Sequence, residues 1–166
     1  MEWLNILVQG ITLGGLFALF ATGLSLIFGI MKLLNLAHGD LIILGSFIAI
    51  AIVDLITLNP LLTLLIVVPL MFIAGYILQT LLLNKVIGDD IMPSILVTFG
   101  LSIVIQNVLL EVFSADTRRM QVGSLDTASF SIAENITIGW FPLIIVATSV
   151  LVIWGLQKIF YETHLG

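Results

Sequence analysis

The distribution of charge constrains this chain more than any motif does. Intervals without a charged side chain run over residues 3–31, 55–84, 91–110 and 135–157. A helix needs roughly 20 apolar residues to cross about 30 Å of hydrocarbon, and each interval can supply one. Composition agrees: 60% of residues are hydrophobic and 9% charged, against about 45–50% and about 25% in soluble domains. So few charges cannot cover a water-facing globule, and the excess apolar surface must face lipid. The predicted fold is all-α, a polytopic membrane helix bundle of about five transmembrane or re-entrant helices. A soluble enzyme, a nucleic-acid binder (net charge −5) and a disordered chain are excluded. The absence of cysteine removes a disulfide scaffold, a thiolate metal site and a cysteine nucleophile. Met1-Glu2-Trp3 carries an acid where a signal peptide needs basic residues, so the first apolar segment is expected to be retained.

One charge-free stretch is anomalous. Residues 41–53 are too few to cross alone. They must either borrow Leu36 to Asp40, placing His38 and Asp40 inside the membrane, or form a half-helix. Counting this segment, the expected spans are 4–30, 36–54, 61–83, 92–112 and 139–160, with a water-facing loop over 113–138. With the N-terminus outside, Lys32, Lys85 and Lys158 face the cytoplasm and only Arg118 and Arg119 face out, as the positive-inside rule prefers. Trp3 and Trp140 then fall at the outer interface and Tyr161 at the inner one. Within the loop, Phe130-Ser-Ile-Ala-Glu-Asn-Ile-Thr-Ile alternates well enough to pair as a hairpin strand. The loop is either a solvated connection or a docking surface for a soluble partner. Asn135-Ile136-Thr137 matches a glycosylation sequon, a pattern common by chance.

Two polar patterns stand out. Ser94, Thr98, Ser102 and Gln106 step by four, with Asn107 beside the last. Such steps advance about 40° per repeat, so the row keeps to one broad side of a helix and serves either interhelical hydrogen bonding or a solute-facing wall. Asn35, His38 and Asp40 form the densest polar cluster near hydrocarbon, next to Gly39, where a backbone can be approached closely. Ionisable groups at bilayer depth are costly and usually mark function, and broken helices there characterise transport sites; a satisfied structural histidine and a helix-capping Asp40 are the plain alternative. Gly10, Gly14, Ala18 and Thr22 also recur every fourth residue, the small-residue face that lets helices pack closely in lipid; Gly45 and Ala49 offer a shorter one. Pro93 suits a first helical turn, and Pro69 should kink its span or free a carbonyl near Leu65. No phosphate loop, HExxH or GxSxG motif is present, and His38 and His164 lie on separate segments, which does not suggest a metal site.

At Asn35-Leu-Ala-His-Gly-Asp-Leu-Ile-Ile-Leu-Gly45 the sequence resembles the permease subunits of branched-chain amino acid ABC importers, the LivH type. Gly15-Leu-Phe-Ala-Leu-Phe-Ala-Thr-Gly-Leu-Ser-Leu-Ile-Phe-Gly29 is similar to that family's first long helix. Thr98-Phe-Gly-Leu-Ser-Ile-Val-Ile-Gln-Asn107 is similar to its second recurring motif, and Tyr161-Glu-Thr-His-Leu-Gly166 to the start of a cytoplasmic segment. The resemblance implies a permease without catalytic chemistry of its own, in a bacterial or archaeal inner membrane. It would alternate access with a second permease subunit while cytoplasmic P-loop ATPases hydrolyse ATP and a periplasmic protein delivers substrate. This chain would bind no cofactor; ATP would be used by the partner subunits. Asn35, Ala37, His38 and Gly39, together with Asp40, would lie by the translocation path, as would Ser94 and the motif residues Thr98, Gly100, Ser102, Gln106 and Asn107. Lys158, Tyr161, Thr163 and Gly166 would face the ATPase. Family members continue beyond Gly166, so the chain is expected to cover their N-terminal half and to lack much of the ATPase-docking surface. His164 stands where relatives more often carry a basic residue. Urea and short-amide permeases are close relatives and remain an alternative substrate class, and a self-associating passive channel or an assembly subunit remains an alternative role.

Overall fold

Each interval expected to hold a span is occupied by a helix. A computed structural model describes residues 2–56, 60–88, 90–115, 118, 129–133 and 136–162. Its helices are α1 (Glu2–Met31), α2 (His38–Ile56), α3 (Pro60–Leu81), α4 (Met92–Phe113) and α5 (Trp140–Glu162), with a 3-10 turn at Leu83–Lys85. Four of them, within α1 to α4, are long and apolar enough to cross a membrane, and a shorter apolar stretch lies at Leu143–Lys158 in α5. The chain divides into two compact units, Leu24–Gln121 on the one hand and Met1–Gly23 with Val122–Gly166 on the other.

In the unit Leu24–Gln121, α2 packs on both α3 and α4. Solvent exposure here is the inverse of a soluble protein's. Buried polar residues of the described chain include Asn35, Thr63, Ser94, Thr98, Ser102 and Ser149, as many as the buried hydrophobic ones, while Leu55 (82% exposed), Phe72 and Leu96 stand on the outside. On α4 the buried face is Ser94, Thr98, Ser102, Ile105 and Leu109. Water would never leave three hydroxyls inside and a row of leucines, valines and phenylalanine outside. In lipid the order reverses, because the hydrophobic effect no longer selects between faces and interhelical hydrogen bonds do. No buried side-chain nitrogen or oxygen lacks a hydrogen-bond partner among the described residues, the condition that makes such a core tolerable. Around these hydroxyls sits a small apolar cluster of Ala37, Ile105 and Leu109, with Leu41, Leu44, Phe47, Leu101 and Phe113 against it. The Phe47 and Phe113 rings meet at 4.9 Å, and the Arg118 guanidinium lies 5.5 Å from the Phe113 ring centroid. Gly45 takes up the Met71 side chain, where an added Cβ would stand 3.5 Å from it, so the short small-residue face of α2 serves the α3 contact. Pro69 lies inside α3, which continues through it.

In the second unit, β1 (Ser129–Ala133) and β2 (Ile136–Gly139) form an antiparallel two-stranded hairpin, pairing Phe130 with Ile138 and Ser131 with Thr137. The alternation over 130–138 therefore does form a hairpin, a small addition to an otherwise helical chain. Here the close approach of α1 to α5 falls on a glycine beside the four-residue row. An added Cβ at Gly10 or Gly14 would meet nothing within 4 Å, whereas one at Gly15 would stand 3.1 Å from the Val146 side chain. Ala18 is exposed, and the Thr22 hydroxyl turns back to the Ala18 carbonyl at 2.7 Å. The close approach to α5 thus uses Gly15, set against the β-branched Val146.

Candidate functional site

The site is built where α1 stops. Lys32 adopts the left-handed conformation (φ 50°) and its N–H donates to the Phe28 carbonyl at 2.9 Å, the single bond of an αL helix end. Leu33 is then buried, and Asn35 makes the next turn. Its side-chain oxygen accepts the Ala37 N–H at 3.1 Å, and its carbonyl accepts the His38 N–H at 3.3 Å. This is an Asx turn, and α2 starts from it at His38.

Thr98 clamps that turn to α4. It is fully buried; its hydroxyl proton goes to the Ser94 carbonyl at 2.8 Å, and its oxygen accepts the Leu36 N–H at 3.2 Å. The Leu34 carbonyl lies 3.3 Å from the same oxygen. Ser94, buried one turn below, bonds the Ile91 carbonyl at 2.8 Å. One turn above, Asp40 reaches back from the first turn of α2. The Ser102 hydroxyl donates to Asp40 Oδ2, and the Gln106 amide donates to Asp40 Oδ1 at 3.1 Å and to the Ser102 hydroxyl at 3.2 Å. Two segments about 60 residues apart in sequence, the turn before α2 and the polar row of α4, are thus tied at two points.

The register of these contacts sets depth. At 1.5 Å per residue, Thr98 lies about 9 Å and Ser102 about 15 Å along α4 from Met92. The helix has 22 residues, about 33 Å in all. The Asn35–Asp40 turn therefore meets α4 from about a quarter to about half of the way along it, with Asp40 nearest the middle. A bilayer crossed by α4 would hold the Asp40 end of this break between α1 and α2 well inside it. Beside it an open pocket of about 310 Å³ is lined by Asp40, Ile43, Phe47, Gln106, Leu109 and Leu110, with Ser114 and Ala115 at its far end.

The expected site residues therefore separate. Asp40, Ser102 and Gln106 come together at a pocket. Asn35, Ser94 and Thr98 are buried and occupied with the turn. His38 opens α2 and is half-buried, while Gly39 is exposed with nothing within 4 Å of an added Cβ. Asn107 is not drawn in: its amide donates to the Ile103 carbonyl at 2.7 Å on its own helix. At the other end of the chain, Lys158 is exposed and its ammonium lies 5.4 Å from the Trp154 ring centroid; Tyr161 belongs to α5, and Thr163 and Gly166 lie outside the described residues. The sequence reading did not single out Ile43, Phe47, Leu109 and Leu110, which wall the pocket. Apolar residues in an apolar helix carry no signal of their own.

Comparison with known proteins agrees with this architecture. Residues 6–166 match the family described as branched-chain amino acid transport system / permease component. The high-affinity branched-chain amino acid transport system permease protein BraD of Pseudomonas aeruginosa is 27% identical over 181 residues, an alignment covering 99% of this chain and 57% of the relative. The corresponding LivH proteins of Salmonella typhimurium and of Escherichia coli K12 are each 34% identical over 53 residues, covering 32% of this chain and 17% of theirs. The chain thus spans a little over half the length of BraD. No solved structure matches it.

Proposed function

Because the chain belongs to the family of branched-chain amino acid transport system permease components, we propose that it forms part of the translocation path of an ABC importer for branched-chain or other small amino acids. Separate P-loop ATPase subunits hydrolyse the ATP, a second permease subunit completes the path, and a periplasmic binding protein delivers the solute. The chain is a multi-pass membrane protein and makes or breaks no covalent bond. Its N-terminus lies outside and its C-terminus inside, with Lys158, Tyr161, Thr163 and Gly166 leading toward the ATPase.

The observation that carries this reading is the Asp40–Ser102–Gln106 cluster at an open pocket, halfway along a helix whose outer face is apolar. A carboxylate at that depth costs at least about 2.5–3.5 kcal/mol on insertion scales unless it faces a bundle interior or water. Helix glue needs only hydroxyls, and Thr98 already supplies it. Transport then follows from population shift: nucleotide and loaded binding protein must each favour a different one of two states.

Reconstitution with its permease, ATPase and binding-protein partners in proteoliposomes tests this. Labelled L-leucine should accumulate only with ATP and with both other components. Uptake down a gradient without nucleotide would overturn the importer reading in favour of a passive channel, and selective uptake of urea would move the substrate class. For orientation, a cysteine in place of Arg118 should label from outside and one in place of Asp90 from the cytoplasm; the reverse pattern inverts the topology.

A further inference from the structure

Resting on the reading of this pocket as part of a solute path, we propose that it binds the α-ammonium group and branched aliphatic side chain of an amino acid, with Asp40 as counter-charge. Both groups that hold Asp40, the Ser102 hydroxyl and the Gln106 amide, are neutral donors. They bring it no formal counter-charge, so that only the partial positive charge at the start of α2 faces it, and they occupy two of the roughly four acceptor positions of a carboxylate. Asp40 and Gln106 line the pocket, whereas Ser102 is buried behind them. A primary ammonium brings three donors and the missing charge. The walls beyond it, Ile43, Phe47, Leu109 and Leu110, are all apolar, and the volume of about 310 Å³ lies at the small end of ligand pockets, about 300–1,000 Å³.

Other occupants fit less well. A divalent cation wants about six or more oxygen ligands, and here one carboxylate is flanked by groups that point donors at it. An anion would meet Asp40 directly. The ligand's own carboxylate is steered away from the far end, because Ser114 and Ala115 follow the C-terminus of α4, where a helix carries partial negative charge. Bonded to the same carbon as the ammonium, it stays beside the Asp40 end, on the open side of the pocket. The aliphatic chain therefore lies along Ile43 and Phe47 with the ammonium at the floor.

The test uses the full chain in phosphatidylethanolamine/phosphatidylglycerol nanodiscs with tritiated L-leucine. Isopentylamine, which keeps the ammonium and lacks the carboxylate, should displace it; 4-methylpentanoate, the converse, should not. Asp40→Asn should weaken leucine binding at least tenfold. Ile43→Trp, which fills the pocket without touching the polar cluster, should abolish it. Displacement by 4-methylpentanoate as effective as by isopentylamine, unchanged affinity in either variant, or no saturable leucine binding to the unaltered chain would each overturn the proposal. ATP-driven uptake unaffected by Ile43→Trp in the complete transporter would also overturn it while leaving the importer reading intact; nucleotide-independent uptake is the separate outcome that removes that reading.

Discussion

Two halves of one polar row on α4 do different work. Ser94 and Thr98 are buried and spend their hydrogen bonds on backbone: their own helix and the turn before α2. Ser102 and Gln106 spend theirs on a carboxylate beside an open pocket. Residue type does not distinguish the halves, since Thr98 and Ser102 carry the same functional group. What they meet does: at Thr98 a backbone amide from a chain break, at Ser102 an acid one helical turn further on. A helix can therefore use a single stripe as fastening along one stretch and as a site along the next, provided its neighbour starts partway up.

That contrast can be broken by substitution, the largest effect falling on the fastening half. Thr98→Val keeps the shape but leaves the part-buried Leu36 N–H without its partner. An unsatisfied buried donor costs about 1–3 kcal/mol, so the variant should unfold at lower denaturant in detergent micelles, with Thr98→Ser close to the parent. Equal stability of Thr98→Val and Thr98→Ser would mean the clamp is not needed. On the pocket half, Ser102→Ala should cost less in stability, about 0.6 kcal/mol, typical of an interhelical hydrogen bond, because Gln106 still holds Asp40. Its larger consequence should be in ATP-driven uptake, and a stability loss matching that of Thr98→Val would erase the distinction. The smallest effect concerns α1. Gly14→Ala should not lower stability and should raise it by up to about 1 kcal/mol, the gain in helix propensity, since among the described residues nothing lies within 4 Å of an added Cβ there. Gly15→Leu should in contrast disrupt the contact with Val146, so a stable Gly15→Leu beside a destabilised Gly14→Ala would restore the seam expected from the sequence.

Much of the fold was legible because lipid imposes so blunt a rule. Long charge-free runs from Glu2 to Lys32, Asp54 to Lys85, Asp90 to Glu111 and Glu134 to Lys158 leave few ways to form elements other than helices, and helices occupy each of them. The alternation over Phe130–Ile138 was likewise readable as a hairpin. The row Ser94–Gln106 was visible as one face, since four-residue steps nearly match the helical period. Whether that face was glue or path was not visible, because one residue pattern serves both. Nor was the choice between Gly14 and Gly15 as the packed position of α1: both are glycine, and the answer depends on where Val146 of α5 comes to rest.

The amino-acid order alone determined that this is an apolar helical membrane protein with a short second charge-free run and polar groups at its start. Only the tertiary structure decided how deep the break between α1 and α2 lies. Depth is a relation between two helices, fixed where the Leu36 amide finds Thr98 and Asp40 finds Ser102 and Gln106. Neither helix encodes its partner's register by itself, since a slip along the row by one turn would offer similar hydroxyls to similar donors. The aromatic contact of Phe47 with Phe113 and the length of the turn after Lys32 select one register, and with it the pocket.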